Sequence, residues 1–305
     1  MKLTLLLLVF VLPARASTYY VTVAGLGGEP EYEQRFTGAA KDLDKVFKAT
    51  DASAHVYTLM GAQATAAQLK ATLSEVAKRA VADDDFVLIL IGHGSFDSVE
   101  YKFNMVGPDV TAAEIAAMCD RIASRRQLVV DTTSASGGAV AALERPGRAV
   151  IAATKSGTEK NATVFVRYWV EALQDPAADT DKSNSVSAME AFIYATKKTA
   201  AFFDSQKRVA TEHAVFDDIG RGEPVREAGN GQGAMLSSFT LLRFAAEQQH
   251  TNDPARQALL AQKQDLEQKI DVLKYQKAAM DAADYRKQLT DALLQLARVQ
   301  EALDK

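Results

Sequence analysis

The sequence predicts an α/β domain with a mostly parallel central sheet, followed by a C-terminal α-helical hairpin. Five strand-like segments alternate with helix-like segments, which is typical of a parallel sheet covered by helices. The run FVLILI at 86–91 is apolar without interruption, as expected of a central strand buried on both faces. Residues 252–305 contain no Gly and carry apolar residues at heptad-like spacing, which indicates helices.

Each element of this fold follows from a local pattern. β-branched and aromatic residues mark the strands, and apolar residues three or four positions apart mark the helices. Two capping boxes, Thr65 with Gln68 and Thr111 with Glu114, indicate where two of the helices start. Strands are expected at 18–25, 55–59, 86–91, 128–132, 149–154 and 236–244. The other helices are expected at 31–48, 162–173 and 186–203.

The tail is predicted to be two antiparallel helices. Asp281 interrupts the apolar series and is suited to cap a second helix, with Asp284 at the third position of that helix. A single straight helix would expose a long apolar stripe and would require a coiled-coil partner. In the hairpin, we expect one set of side chains to face another: Leu266, Ile270 and Leu273 against Leu289, Leu293 and Leu296. A helix of a partner protein is a candidate ligand of this tail.

Composition restricts the classes of function. The chain has 305 residues, 48% of them hydrophobic and 24% charged, as in ordinary globular proteins. Its formal net charge of -4 provides no broad basic field for nucleic acid. The single cysteine excludes an intramolecular disulfide and a thiolate-clustered metal site. We therefore expect no cofactor, no metal and no nucleic-acid partner.

The first sixteen residues have the pattern of a secretory signal peptide. Lys2 is followed by the ten-residue, largely apolar stretch LTLLLLVFVL, and Ala14 and Ala16 occupy the small positions before the cleavage point. The apolar run is too short to span a membrane as a helix. The expected organisation is a signal peptide at 1–16, an α/β domain at 17–247 and a helical tail at 248–305. The protein is expected to be exported, to the periplasm or the extracellular space, without a stable membrane anchor.

Two motifs follow consecutive central strands, at the edge where parallel sheets carry functional residues. They are GHGSFD at 92–97 and VVDTTSASGG at 129–138. Together with ATKSGTEKNATVFVRYWVEAL at 153–173 and ATEHAVFDD at 210–218, they resemble the caspase-like cysteine peptidases (clan CD). Bacterial members of the legumain side are the most similar. The resemblance implies a three-layer α/β sandwich, a catalytic His93, a nucleophile at position 134 and an oxyanion-hole amide from Gly94.

Position 134 departs from the family, because Ser134 stands where the nucleophilic cysteine is expected. A serine hydroxyl needs a general base in direct contact, whereas a thiol is easily held as a thiolate. We therefore expect an inactive pseudo-peptidase that binds polypeptide or scaffolds a partner. The alternative is an active endopeptidase that uses Ser134 with His93, and Asp131 is a candidate to orient the histidine. Cys119, on a helix, is expected to be a buried core residue.

Other motifs give weaker indications. The glycines at 25, 27 and 28 follow a strand, as in a dinucleotide-binding loop, but Glu29, Glu31 and Glu33 would repel a pyrophosphate. This disfavours a nucleotide-binding function. Asp217 and Asp218 begin a run similar to a degraded calcium loop, for which a solvated turn is the better interpretation.

Overall fold

A computed structural model describes residues 16–50, 54–244, 253–277 and 280–304. The predicted signal peptide lies outside the described residues except for its last position. Across these ranges, no helix is both long and apolar enough to cross a membrane. The strands are β1 (Thr18–Ala24), β2 (His55–Leu59), β3 (Asp85–Ile91), β4 (Gly94–Phe96), β5 (Tyr101–Phe103), β6 (Val110–Thr111), β7 (Arg126–Asp131), β8 (Arg148–Ala152), β9 (Ser185–Ser187), β10 (Val215–Asp217) and β11 (Thr240–Arg243). The helices are α1 (Pro30–Thr50), α2 (Ala66–Arg79), α3 (Ala112–Cys119), α4 (Val140–Leu143), α5 (Phe165–Ala172), α6 (Ala188–Ser205), α7 (Ala234–Ser238), α8 (Pro254–Gln276) and α9 (Ala282–Leu303).

The central sheet has six strands in the order β10-β8-β7-β3-β1-β2. All neighbouring strands run parallel except β10, which is antiparallel to β8. The register pairs Ala24 with Ile91 and Leu90 with Asp131, so β1, β3 and β7 end side by side. The loops that carry the two sequence motifs therefore leave the same edge of the sheet.

Helices cover both faces of the sheet. On one face, α1, α5 and α6 pack over Val87 and Ile89 of β3; on the other, α2, α3 and α4 pack over Leu88 and Leu90. The alternation of side chains along a strand divides the apolar run of β3 between the two cores. Each such buried aliphatic or aromatic side chain contributes about 1.5–3 kcal/mol of transfer free energy. The predicted α/β sandwich with a mostly parallel sheet is confirmed.

The tail consists of α8 and α9, which pack against each other. Asp281 caps α9 as predicted, because its carboxylate accepts hydrogen bonds from the backbone N–H groups of Ala283 and Asp284. The predicted contact of Leu293 is wrong: its side chain is 48% exposed, and Ala292 is buried instead. Buried and half-buried positions on α9 follow a spacing of four and three, at Leu289, Ala292, Leu296, Val299 and Leu303. The 3.6-residue turn of the helix carries Leu293 out of this seam.

The tail lies away from the edge that carries the two motifs. Tyr275 of α8 lies beside Gly233, which immediately precedes α7. The charge of Asp265 on α8 acts on Arg125, next to the first residue of β7. Arg126 in turn donates to the carbonyl of Ser238 at 2.7 Å. These contacts place α7 and α8 at the N-terminal ends of the central strands.

Several elements differ from the sequence prediction. The expected late strand at 236–244 begins as helix α7 and becomes strand β11 only at Thr240. Helix α5 begins at Phe165, three residues later than expected. The hairpin β4–β5 and the antiparallel edge strand β10 were not predicted, because each strand has only three residues. Strands this short carry too few alternating positions to give a periodic signal.

Candidate active site

Ser134 and Gly94 meet at the carboxyl edge of the sheet. The hydroxyl of Ser134 donates to the carbonyl oxygen of Gly94 at 3.0 Å and accepts from the Gly94 N–H at 3.1 Å. Its side chain is buried, with 3% of the residue exposed. The amide that the family resemblance assigns to the oxyanion hole is therefore hydrogen-bonded to the residue at the nucleophile position.

His93 lies at the same edge but turns toward α1. Its ring packs edge-on against Tyr32, with centroids 4.7 Å apart, and against Phe36 at 5.1 Å. Burial lowers the pKa of His93 below 6.5, and the charge of Arg35 acts in the same direction. A hydrogen bond to the backbone of Gly27 opposes the decrease. The imidazole is therefore mainly neutral at pH 7, which is the form that can act as a base.

His93 and Ser134 lie at the same edge of the sheet, but their side chains are not hydrogen-bonded to each other among the described contacts. Among the hydrogen bonds of the described residues, those of the Ser134 hydroxyl go to the Gly94 backbone, and none reaches the His93 ring. The catalytic roles of His93, Ser134 and Gly94 remain predictions from the resemblance.

Asp131 does not orient His93. Its Oδ1 accepts from the backbone N–H of Thr133 at 3.1 Å, and the Tyr101 hydroxyl is hydrogen-bonded to Thr133 Oγ1 at 2.7 Å. Burial raises the pKa of Asp131 to about 6, and its contacts with Thr133 and Tyr101 partly oppose the increase. Tyr101 belongs to the core beneath α2 and α3, whereas the ring partners of His93 belong to α1. The carboxyl and the imidazole thus lie on opposite faces of the sheet.

The turn after Ser134 is tightly held. Ala135 adopts a left-handed backbone with φ of 57°, which costs an L-residue roughly 1–2 kcal/mol. Gly137 approaches the chain after β8 so closely that an added Cβ would lie 2.2 Å from the Ser156 nitrogen. Its N–H donates to Thr154 Oγ1 at 2.9 Å, and Ser136 Oγ pairs with the same oxygen at 3.2 Å. These contacts fix the position of the Ser134 backbone.

A second group of titratable residues borders this turn and was not predicted. The carbonyl of Glu159 accepts from the Ala135 N–H at 2.8 Å. Its carboxylate meets His213 Nδ1 at 2.5 Å and accepts the backbone N–H groups of His213 and Lys155. Glu159 thereby connects the loops that follow β7 and β8 with the chain that enters β10. His213 lies in the segment ATEHAVFDD, but nothing in its spacing indicates this pairing.

Glu212 is a strongly perturbed carboxyl in this region. It is buried and accepts the N–H groups of Val164 and Phe165 at 2.8 and 3.3 Å, at the start of α5. Burial raises its pKa to about 7, the charge of Glu159 adds to the increase, and the two backbone hydrogen bonds oppose it. Arg35 acts electrostatically on both Glu212 and His93. Perturbed carboxyls in such positions mark candidate functional sites.

The weaker sequence motifs have structural explanations. The Gly27 N–H donates to the carboxylate of Glu33 at 3.1 Å, so this glycine loop is already satisfied by a protein anion. The Asp217 carboxylate accepts four backbone N–H groups, from residues 219–222. Asp217 is fully buried, whereas the turn that its carboxylate organises is half-buried to exposed at residues 219–223. The predicted solvated turn is therefore correct for the turn but not for Asp217. Cys119 is buried, as expected, and burial raises its pKa to about 12.

No protein-family model matches the sequence, and no curated protein matches it. The crystal structure of the Drosophila initiator caspase Dronc matches with a TM-score of 0.44 and 14% identity, over 69% of this chain and 82% of Dronc. Protein GSU0716 from Geobacter sulfurreducens matches with a TM-score of 0.44 and 13% identity, over 66% of this chain and 92% of that protein. Both scores lie below 0.5, and these likenesses assign neither activity nor substrate to this chain.

Proposed function

We propose that the protein is a catalytically inactive homologue of caspase-like peptidases, closest to the legumain side, that binds an extended polypeptide or scaffolds a partner. The proposal is supported chiefly by the two hydrogen bonds between the Ser134 hydroxyl and the Gly94 backbone. A serine nucleophile must give its proton to a general base during attack. In this arrangement the proton of Ser134 is directed to a carbonyl oxygen, which is not a base at neutral pH.

The oxyanion amide supports the same proposal. Backbone N–H groups stabilise a developing oxyanion only if they point at the position that this oxygen will occupy. The Gly94 N–H donates to Ser134 Oγ at 3.1 Å and is therefore satisfied within the protein. Substrate carbonyls would have to displace a hydroxyl that is almost fully buried.

The alternative function is an endopeptidase that uses Ser134 with His93. The observation that favours it is the lowered pKa of His93, which keeps the imidazole in its basic form at pH 7. Activity would require the hydroxyl to leave the carbonyl of Gly94 and turn toward the histidine.

Labelling and cleavage assays distinguish the two functions. The full chain is incubated with a serine-directed fluorophosphonate and with a mixed peptide library, and Ser134→Ala is the matched control. We expect neither labelling nor cleavage by the native protein. Robust labelling and cleavage that Ser134→Ala abolishes would establish the alternative.

A thiol at position 134 tests whether the rest of the machinery is intact. We expect Ser134→Cys to react with a peptide electrophile, because the thiolate needs less help from a base. The native protein serves as the control, since its only cysteine is buried. If the folded Ser134→Cys variant does not react, the site is remodelled for binding alone. Polypeptide binding should then be measured directly with Ser134→Ala.

Two further proposals concern location and partners. Export rests on the signal-like pattern at 1–16 and is tested by fractionating cells and sequencing the mature N-terminus. A partner helix for the tail is supported by the neighbouring side chains of Leu293 and Leu294 on α9, which are both exposed. Sedimentation of the full chain, compared with Leu293→Ser and Leu294→Ser variants, tests whether this face binds another helix.

A further inference from the structure

A twelve-residue segment before α6 has the ligand spacing of an EF-hand calcium loop. Residues 179–190 read DTDKSNSVSAME. Such a loop supplies oxygen ligands from its positions 1, 3, 5, 7, 9 and 12, with a bidentate Glu at position 12. In this segment the six positions hold Asp179, Asp181, Ser183, Ser185, Ser187 and Glu190. Position 7 contributes a backbone carbonyl in these loops, so its side chain is free to vary.

The sharp turn of the loop is also present. Position 6 is usually Gly, because the backbone there must turn sharply. Asn184 occupies it with φ of 61°, in the left-handed region that Asn tolerates better than most residues. The departure from Gly therefore preserves the conformation that the turn requires.

The structure independently brings the three carboxylates together. Oxygen atoms of Asp179, Asp181 and Glu190 all lie within 4.8 Å of one another. Two oxygens that bind the same calcium ion at about 2.3–2.6 Å can be separated by no more than twice that distance. Chain spacing and spatial convergence are separate observations, and both fit one cation.

The frame of the loop is rigid before any ion binds. Asp179 accepts backbone N–H groups from Ser183 and Asn184, at 3.0 and 2.9 Å. Glu190 is held in the first turn of α6 by a capping box with Ser187. Strand β9, which contains positions 7–9, pairs with β11. Ligands fixed to a helix and a strand lose little freedom on binding.

We propose that residues 179–190 bind one calcium ion through Asp179, Asp181, Ser183, the carbonyl of Ser185 and Glu190. The Thr180 hydroxyl now donates to Glu190 Oε1 at 3.0 Å and is displaced when the ion binds. Three carboxylates are fewer than in high-affinity loops, so the dissociation constant should lie at about 10⁻⁵–10⁻³ M. Mg²⁺ should bind more weakly, since it demands near-ideal octahedral geometry at shorter distances.

The test is a calcium titration of the chelator-treated full chain by isothermal calorimetry. We expect one ion per chain, and binding at least about tenfold weaker in Glu190→Gln, which loses the bidentate carboxylate. Glutamine at this position still completes a capping box, so α6 keeps its start. The control is Glu114→Gln, because Glu114 has the same role with Thr111 at α3, and the charges that act on it are those of Lys102 and Lys70. This control should bind calcium like the native protein.

Asp181→Asn is a second variant at an exposed position, where substitution spares the core. It should also weaken binding by about tenfold or more. Calcium should raise the melting temperatures of the native protein and of Glu114→Gln by more than that of Glu190→Gln. The proposal is overturned if the native chain shows no stoichiometric binding up to about 10 mM calcium. It is equally overturned if Glu190→Gln and Asp181→Asn, folded as judged by melting in chelator, bind as tightly as the native chain.

Discussion

Gly94 lies so close to Ser134 that a Cβ at position 94 would be 2.4 Å from the Ser134 carbonyl oxygen. The same atom would lie 2.5 Å from Thr133 Oγ1 and 2.6 Å from the ring of Tyr101. Backbone, hydroxyl and ring therefore surround this glycine, and the two loops that define the candidate site fit together only without a side chain there.

Gly94→Ala should destabilise the protein by about 1–3 kcal/mol, because the backbone of one loop must move. The matched control is Gly38→Ala on α1, where an added Cβ meets nothing within 4 Å. That substitution should stabilise the helix by roughly 0.5–1 kcal/mol. Urea unfolding of both variants measures the difference, and equal effects would contradict the close approach.

Glu212 should make stability depend on pH. Its pKa is raised from 4.5 to about 7 in the folded protein, so its contribution is fully present below about pH 4.5. The contribution of Glu212 to the free energy of unfolding is lost as the pH rises through 7, and the total loss is at most about 3 kcal/mol. Glu212→Gln removes the titration, so the free energy of unfolding of the native protein should fall relative to the variant between pH 5 and about 8. A difference that stays constant across this range would mean that Glu212 does not titrate there.

Cys119 should be unreactive in the folded protein. Burial raises the pKa of its thiol to about 12, so the thiolate needed for reaction is scarce at neutral pH. A chromogenic disulfide reagent should label no thiol in native buffer and one thiol per chain in denaturant. Rapid labelling without denaturant would show that α3 opens readily.

The seam of the tail can be tested with two leucines on the same helix. Leu303 is buried between α8 and α9, whereas Leu293 faces outward. Leu303→Ala should cost about 2 kcal/mol, whereas Leu293→Ala should cost less than about 0.5 kcal/mol. The stabilities of the two variants are compared by circular dichroism melting. Both are Leu→Ala substitutions on the same helix, so the intrinsic change in helix propensity is the same. A larger effect at Leu293 would favour the seam that the sequence predicted.

Much of the fold was predictable because the pattern of each main element is local. The capping box of Thr111 and Glu114 starts α3 as expected, and the continuous apolar run becomes the central strand β3. Strand β10 was not predicted, because its three residues give no periodic signal and its place depends on pairing with β8, more than sixty residues earlier in the chain. Residues 236–238 fold as a helix within a predicted strand, where the buried carboxylate of Asp218 accepts N–H groups from Met235 and Leu236.

By itself, the sequence determined that His93 and Ser134 leave neighbouring strand ends, because parallel strands bring their carboxyl ends to one edge. Only the tertiary structure decided what those side chains contact. Packing against α1 turns the His93 ring toward Tyr32, while the loop approach at Gly94 captures the Ser134 hydroxyl. Such contacts join residues far apart in the chain, and their distances depend on how helices and loops pack rather than on any local pattern.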